Sequence, residues 1–459
     1  WLKHFEARQF PPASAMVKRV AGFPRVSPKA AGLDPAPFKE LRTALRREVH
    51  ELQCMSGAAH IVVHKGRCVL ACNDGWANRK SRQRWGLDTI CKLHGCTKPL
   101  VSAAFLTLVD EGLVKLSDPV SKHLRFAQRL RTRKAKRQPT LRNLLTMTAG
   151  LGYEDSPAYG PVMEGVRKGS ISDLAGLCDA IADVPLQAEP GSRYEYSFCT
   201  DVLGRVCEAV SGERLDAFVR RRLLRPLGMR DTHFTVPRRK HGRLAVLYDA
   251  QKAPRQRGPK ACKRRAPFSL VPWAHPESAP GILSGGGGVL SYEDPGMHST
   301  ARDYAKFVQM LLDDGMAPNG HRILSKRTAR ALWSDGLASY ARRDGRLPGW
   351  NDADGPGTRG GLWDYTGCSL LHTHLVFDEL PRGTGPPRRA QSMWMGGGGG
   401  TYWVADKRRG LASISFTQAF GGRQGEEDGL GPRGNDASTF ATAAADGGRA
   451  AAKAACAGR

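Results

Sequence analysis

The chain has 459 residues, 41% of them hydrophobic and 25% charged, a balance ordinary for a soluble globular protein and sufficient for a sizeable core in one large domain or two intimate ones. Its longest uncharged apolar stretch lies around Leu100–Val109, far short of the ~20 residues a spanning helix needs, so no membrane span is expected. The formal net charge of +27 admits nucleic acid, anionic lipid or acidic polymers as partners without requiring any of them.

Residues 1–26 read as a basic leader with little pattern, a candidate for disorder. No charged-then-apolar secretory leader is visible, but the chain opens on Trp1 rather than Met, so that absence carries no weight. A helix is expected from Asp34 to Leu52, with Asp34 as cap, Pro35 in the first turn, and Phe38, Leu41, Leu45, Val49 and Leu52 on one stripe. A hairpin follows: Ile61-Val62-Val63, a turn over His64–Arg67, then Cys68-Val69-Leu70. The next helix should run from Gly95 to Glu111 and stop at Gly112; Pro99 fits only in its first turn, which puts Gly95–Lys98 at the helix start. Another helix is expected over Asp201–Ser211, stopped by Gly212, and another after Thr300, whose hydroxyl and Asp303 form a capping-box pattern. Leu371–Phe377, Thr401–Asp406 and Leu411–Gln418 read as strands. Residues 421–459 are rich in Gly, Ala and Asp and are expected to be disordered. The order of helix, strands, a long helical and loop-rich middle, then strands again is satisfied by an α/β fold. One sheet is built from both ends of the chain, with a mostly helical insert between, over residues 27–420.

Eleven cysteines are scattered without a CxxC pair, so neither a zinc ribbon nor a thioredoxin-like motif is on offer, and free thiols in a reducing compartment are the simpler expectation. The basic residues cluster in Arg129–Arg137 and Arg238–Arg265, but neither stretch interleaves aromatics for base stacking. They are read as solvated faces; the alternative is a basic, anion-binding or scaffold protein without catalysis.

Three separated segments carry the chemistry. They are Leu93-His94-Gly95-Cys96-Thr97-Lys98-Pro99-Leu100, then Tyr194-Glu195-Tyr196-Ser197, then Met395 followed by Gly396–Gly400 and Thr401-Tyr402-Trp403. Connecting stretches accompany them: Thr140–Thr146 with Ala149-Gly150-Leu151, Arg225-Pro226-Leu227-Gly228-Met229, and Ser284–Gly288. Each is weak alone, but their order and spacing resemble the class C β-lactamase, DD-peptidase and family VIII esterase group over roughly residues 27–418. The resemblance implies a sheet flanked by helices, a cleft for a small ester or amide, and no metal or organic cofactor. In that group an S-x-x-K serine opens a helix, a tyrosine comes from a second motif, and a third strand carries K-T-G, H-x-G or W-G-G. Residues three apart share a helix face, so the lysine can take the nucleophile's proton. The tyrosine passes that proton to the leaving group, and two main-chain amides hold the oxyanion.

Mapped by residue, Lys98 and Tyr196 match the lysine and tyrosine, Gly398 supplies the strand amide, and Met395 stands where the W-G-G form has tryptophan. The serine register, also the other oxyanion amide, falls on Gly95, which has no side chain to attack a carbonyl. The main expectation is a family member whose activity is lost or impaired. The alternatives are a hydrolase using Cys96, whose thiol would need a shifted backbone to reach the face of Lys98, or an active site working through some unseen feature. The glycine run is no P-loop, because no Gly-Lys-Ser/Thr follows it, and it is looser than the family norm. His372-Thr373-His374 suggests a metal pair, but the residues alternate on a strand without a further ligand cluster, so no metal is expected.

Overall fold

The computed structural model describes residues 19–130, 137–154, 156–252, 268–273, 296–337, 366–376 and 389–421. Its centre is an eight-stranded antiparallel sheet. The strands run, in spatial order, Thr366–Cys368, His374–Val376, Ser392–Gly397, Thr401–Asp406, Leu411–Thr417, Gly57–His64, Arg67–Asn78 and Gln83–Arg84. Both ends of the chain therefore share one sheet, and the join is Leu411–Thr417 against Gly57–His64, with Ile414 opposite Ile61.

Local chemistry sets the hairpins. Lys65 and Gly66 both have positive φ, 47° and 72°, the pattern of a two-residue turn whose twist matches its strands. All eight residues of Gly57–His64 are buried, because the sheet is covered on both faces here. Ala59, Ile61 and Val63 join the main core; Ala58 and Val62 meet Phe38, Leu41 and Leu45 of the Ala36–Arg46 helix. On the main-core face the Ala301–Leu312 helix lays Tyr304 and Phe307 against Trp403, with ring centroids 6.1 and 6.2 Å apart.

The Thr97–Asp110 helix buries every residue from Thr97 to Leu108. A helix buried on all its faces is a central one, enclosed on every side. The first helix differs from expectation in detail. It is α-helical over Ala36–Arg46 and continues to Leu52 with the wider π pattern, while Asp34 accepts a hydrogen bond from the Ala36 amide at 2.9 Å.

Two sequence boundaries are corrected. Arg19–Val20 and Phe23–Pro24, assigned to the leader, pair as a short ribbon whose Val20 and Phe23 are buried in the main core. The strand expected over Leu371–Phe377 is only His374–Val376, because His372 turns the chain at φ 59°. Phe377, residues 1–18, the tail beyond residue 421, Ser284–Gly288, residues 131–136 of the first basic cluster and residues 253–265 of the second lie outside the described residues. Of the clusters' described members, Arg129 pairs with Asp179 and Asp183, and Lys240 and Arg243 pair with Asp231. The described cysteines are free thiols, and among the described residues no helix is long and apolar enough to cross a membrane.

Candidate functional site

Residue 95 sits at a corner. The Cys91–Lys92 strand ends, His94 takes a left-handed φ of 46°, and a single 3-10 turn over His94–Cys96 leads into the Thr97–Asp110 helix. The left-handed residue lets the chain reverse within one step. The corner is tied to distant strands. The Gln418 side-chain amide accepts from Lys92 N at 2.9 Å and donates to Lys92 O at 3.1 Å. Leu93 N donates to Met297 O at 2.9 Å, and Thr401 Oγ1 donates to Leu93 O at 3.0 Å.

These ties set what surrounds Gly95. A β-carbon there would lie 2.9 Å from the Gly396 carbonyl oxygen, 3.2 Å from Tyr196 Oη and 3.3 Å from Met395 Cε. One helical turn on, Lys98 is fully buried, with Nζ 4.3 Å from the Tyr196 ring centre and 5.5 Å from that of Tyr153. Aromatic faces attract a cation and partly offset its loss of water. Tyr153 meets Tyr196 edge-on at 5.3 Å and so braces it. The structure thus brings Gly95, Lys98 and Tyr196 to one point, together with the strand that bears Met395 and Gly396.

The glycine run is held more firmly than its composition suggests. A β-carbon on Gly397 would lie 2.1 Å from Leu93 O and 2.4 Å from Thr401 Oγ1, so the strand lies directly against the corner. Gly400 N donates to Gly397 O at 2.9 Å, while the Gly399 and Gly400 carbonyls accept from Ala419 N and Thr417 N at 3.0 and 3.1 Å. Gly398 lies between these anchors, facing the Phe420 ring.

Cys96 is not brought into this cluster. Its side chain is fully buried, and Sγ donates towards Thr401 O at 3.6 Å and Met395 O at 3.8 Å, into the sheet. Burial pushes the thiol up to about 12, against the smaller opposing pulls of Thr401 and Lys98, so the reactive thiolate is suppressed. The backbone displacement a Cys96 nucleophile would need is opposed by the Tyr304 hydroxyl, which donates to Cys96 O at 2.8 Å.

His372 and His374 part company. His374 stacks on Trp394 at 4.2 Å. His372 is buried, with Nδ1 3.2 Å from Ser102 Oγ and 3.1 Å from Thr200 Oγ1, and Nε2 2.7 Å from Leu144 O. The carbonyl can only accept, so Nε2 carries the proton and Nδ1 accepts from the hydroxyls. Burial pushes this imidazole down to about 3. His372 therefore joins the helix of Lys98 to the helix that follows Tyr196. The sequence reading missed this junction, along with Tyr153 and Gln418, because each acts through residues far away in the chain.

A family model described as Beta-lactamase matches residues 45–431. Protein Rv1367c of Mycobacterium tuberculosis (strain ATCC 25618 / H37Rv) is 31% identical over 389 residues, covering 81% of this chain and 88% of its own. Esterase EstB of Burkholderia gladioli is 30% identical over 427 residues, covering 87% and 95% respectively. Among solved structures, EstCE1, described as a hydrolase with promiscuous acyltransferase activity, superposes with a TM-score of 0.64 at 21% identity, over 86% of this chain and 97% of its own. The fold and the matched segments define a β-lactamase- and penicillin-binding-protein-like α/β protein. The chain belongs to the β-lactamase family.

Proposed function

We propose that this protein keeps the ester- or amide-binding cleft of an acyl-transferring hydrolase but has lost covalent turnover, because Gly95 stands where the acyl-accepting serine belongs. The observation that carries the reading is the aim of Tyr196 Oη, 3.2 Å from the absent β-carbon, with Lys98 buried against the same ring. Lys98 and Tyr196 are the proton-transfer pair, and the Gly95 and Gly398 amides are the oxyanion donors. A relative named as an esterase and the Beta-lactamase family model support a carboxylic ester or amide as the substrate class. Removing a nucleophilic serine costs about six orders of magnitude in turnover elsewhere.

The test compares the wild type, Gly95→Ser and Cys96→Ala on a chromogenic ester and a chromogenic cephalosporin. Only Gly95→Ser should accumulate an acyl-enzyme, visible by intact mass. Its recovery should be incomplete, because the new β-carbon meets the Gly396 carbonyl at 2.9 Å and the strand must give way. An acyl-enzyme in the wild type that disappears in Cys96→Ala would overturn the reading.

A further inference from the structure

We propose that the cleft at Gly95 hydrolyses activated carboxylic esters by single displacement, with water as the nucleophile and the Lys98–Tyr196 pair moving its proton. The inference rests on the reading that no acyl-enzyme forms at residue 95.

A glycine at this position removes a nucleophile and leaves the rest of the machinery in place. The main-chain amides of residues 95 and 398 do not depend on the side chain at 95. Two of the three atoms nearest the absent β-carbon are oxygens, Tyr196 Oη at 3.2 Å and the Gly396 carbonyl at 2.9 Å. A phenol that can donate or accept, beside a carbonyl that only accepts, is a suitable pair to orient a water through its protons. The fully buried Lys98, 4.3 Å from the Tyr196 ring centre, gives the phenol an amine neighbour that can take its proton, with no bulk water around it. The thiol next in sequence does not compete, because Cys96 Sγ points at the Met395 and Thr401 carbonyls.

In the step, the water oxygen bonds to the acyl carbon and gives one proton to Tyr196 Oη, while the phenol passes its own proton to the neutral amine of Lys98. The charge collects on the former carbonyl oxygen, facing the two amides. The tetrahedral species then collapses, the bond to the leaving oxygen breaks, and the pair returns a proton to that oxygen. Ester and water become acid and alcohol, and no residue is left modified. A serine hydrolase stripped of its nucleophile retains about a 10³- to 10⁴-fold acceleration over water through oxyanion stabilisation and binding, which is the scale expected here.

The full chain is assayed with 4-nitrophenyl acetate. The expected result is saturable, linear release continuing well past one equivalent per protein, without a burst and without added acetyl mass in the cleft. Lys98→Met and Tyr196→Phe should each lower the rate at least about tenfold, with folding checked by urea midpoint. Should Lys98→Met fail to fold, Tyr196→Phe decides, since it removes one oxygen and keeps the ring. Absence of saturable turnover, or turnover that Tyr196→Phe leaves unchanged, overturns this inference and leaves the preceding reading intact. A burst with an acetylated cleft residue in the wild type overturns both.

Discussion

Gly397 shows how one residue positions the cleft. The nearest atoms to its absent β-carbon are Leu93 O at 2.1 Å and Thr401 Oγ1 at 2.4 Å, whereas a β-carbon on neighbouring Gly396 would find only Tyr402 Cδ2 at 3.5 Å and Thr401 O at 4.0 Å. Gly397→Ala should therefore cost about 3 kcal/mol, at the upper end of what overpacking does, and Gly396→Ala less than about 1 kcal/mol. Urea denaturation of the two variants measures the difference, and equal losses would refute the close approach. The pairing of Lys98 with Tyr196 was legible from the family resemblance of their motifs, and the divergence of Cys96 from Lys98 from their offset of two residues along a helix. The Gly397 contact was not legible, because five like residues in a row give no sign of which one touches Leu93.

At the scale of elements, the Ala301–Leu312 helix shows a local signal half kept. The Thr300 side chain accepts from Asp303 N at 3.1 Å, as the capping pattern required. The reciprocal bond is absent from the cap, since Asp303 instead accepts from Asp231 N at 2.6 Å, Thr232 Oγ1 at 3.2 Å and Lys306 Nζ at 2.8 Å. Tertiary donors have won the carboxylate. Thr300→Ala should cost about 1 kcal/mol in chemical denaturation, and because Tyr304 on this helix holds the Cys96 carbonyl, the loss should be accompanied by weaker ligand retention in the cleft. A complete box does occur at Thr140 and Asn143, in a stretch singled out only for its family resemblance.

Over the whole molecule, burial of histidines links stability to pH. Burial pushes His60 down to about 4, and His298 and His372 to about 3, from an ordinary 6.5. Below about 6.5 the unfolded chain takes up protons that the folded protein refuses, so stability must fall as pH drops from there towards the folded-state values. Each histidine contributes up to about 1.4 kcal/mol per pH unit across that window. Urea midpoints at about pH 7 and about pH 5 measure the slope, and His60→Gln should flatten it by one histidine's share. A profile that stays level through this range would contradict the burial of these rings.

The sequence alone determined the order of elements, the sheet shared by the chain's two ends and the absence of a nucleophilic side chain at residue 95. These follow from periodicity, turn residues and motif spacing, all properties of neighbours along the chain. Only the tertiary structure decided that Tyr196 points at the place Gly95 leaves open, that Cys96 faces the sheet, that Gln418 ties down Lys92, and that His372 links Ser102 to Thr200. Each of those depends on contacts between residues 100 or more positions apart, which local patterns do not encode and close packing enforces.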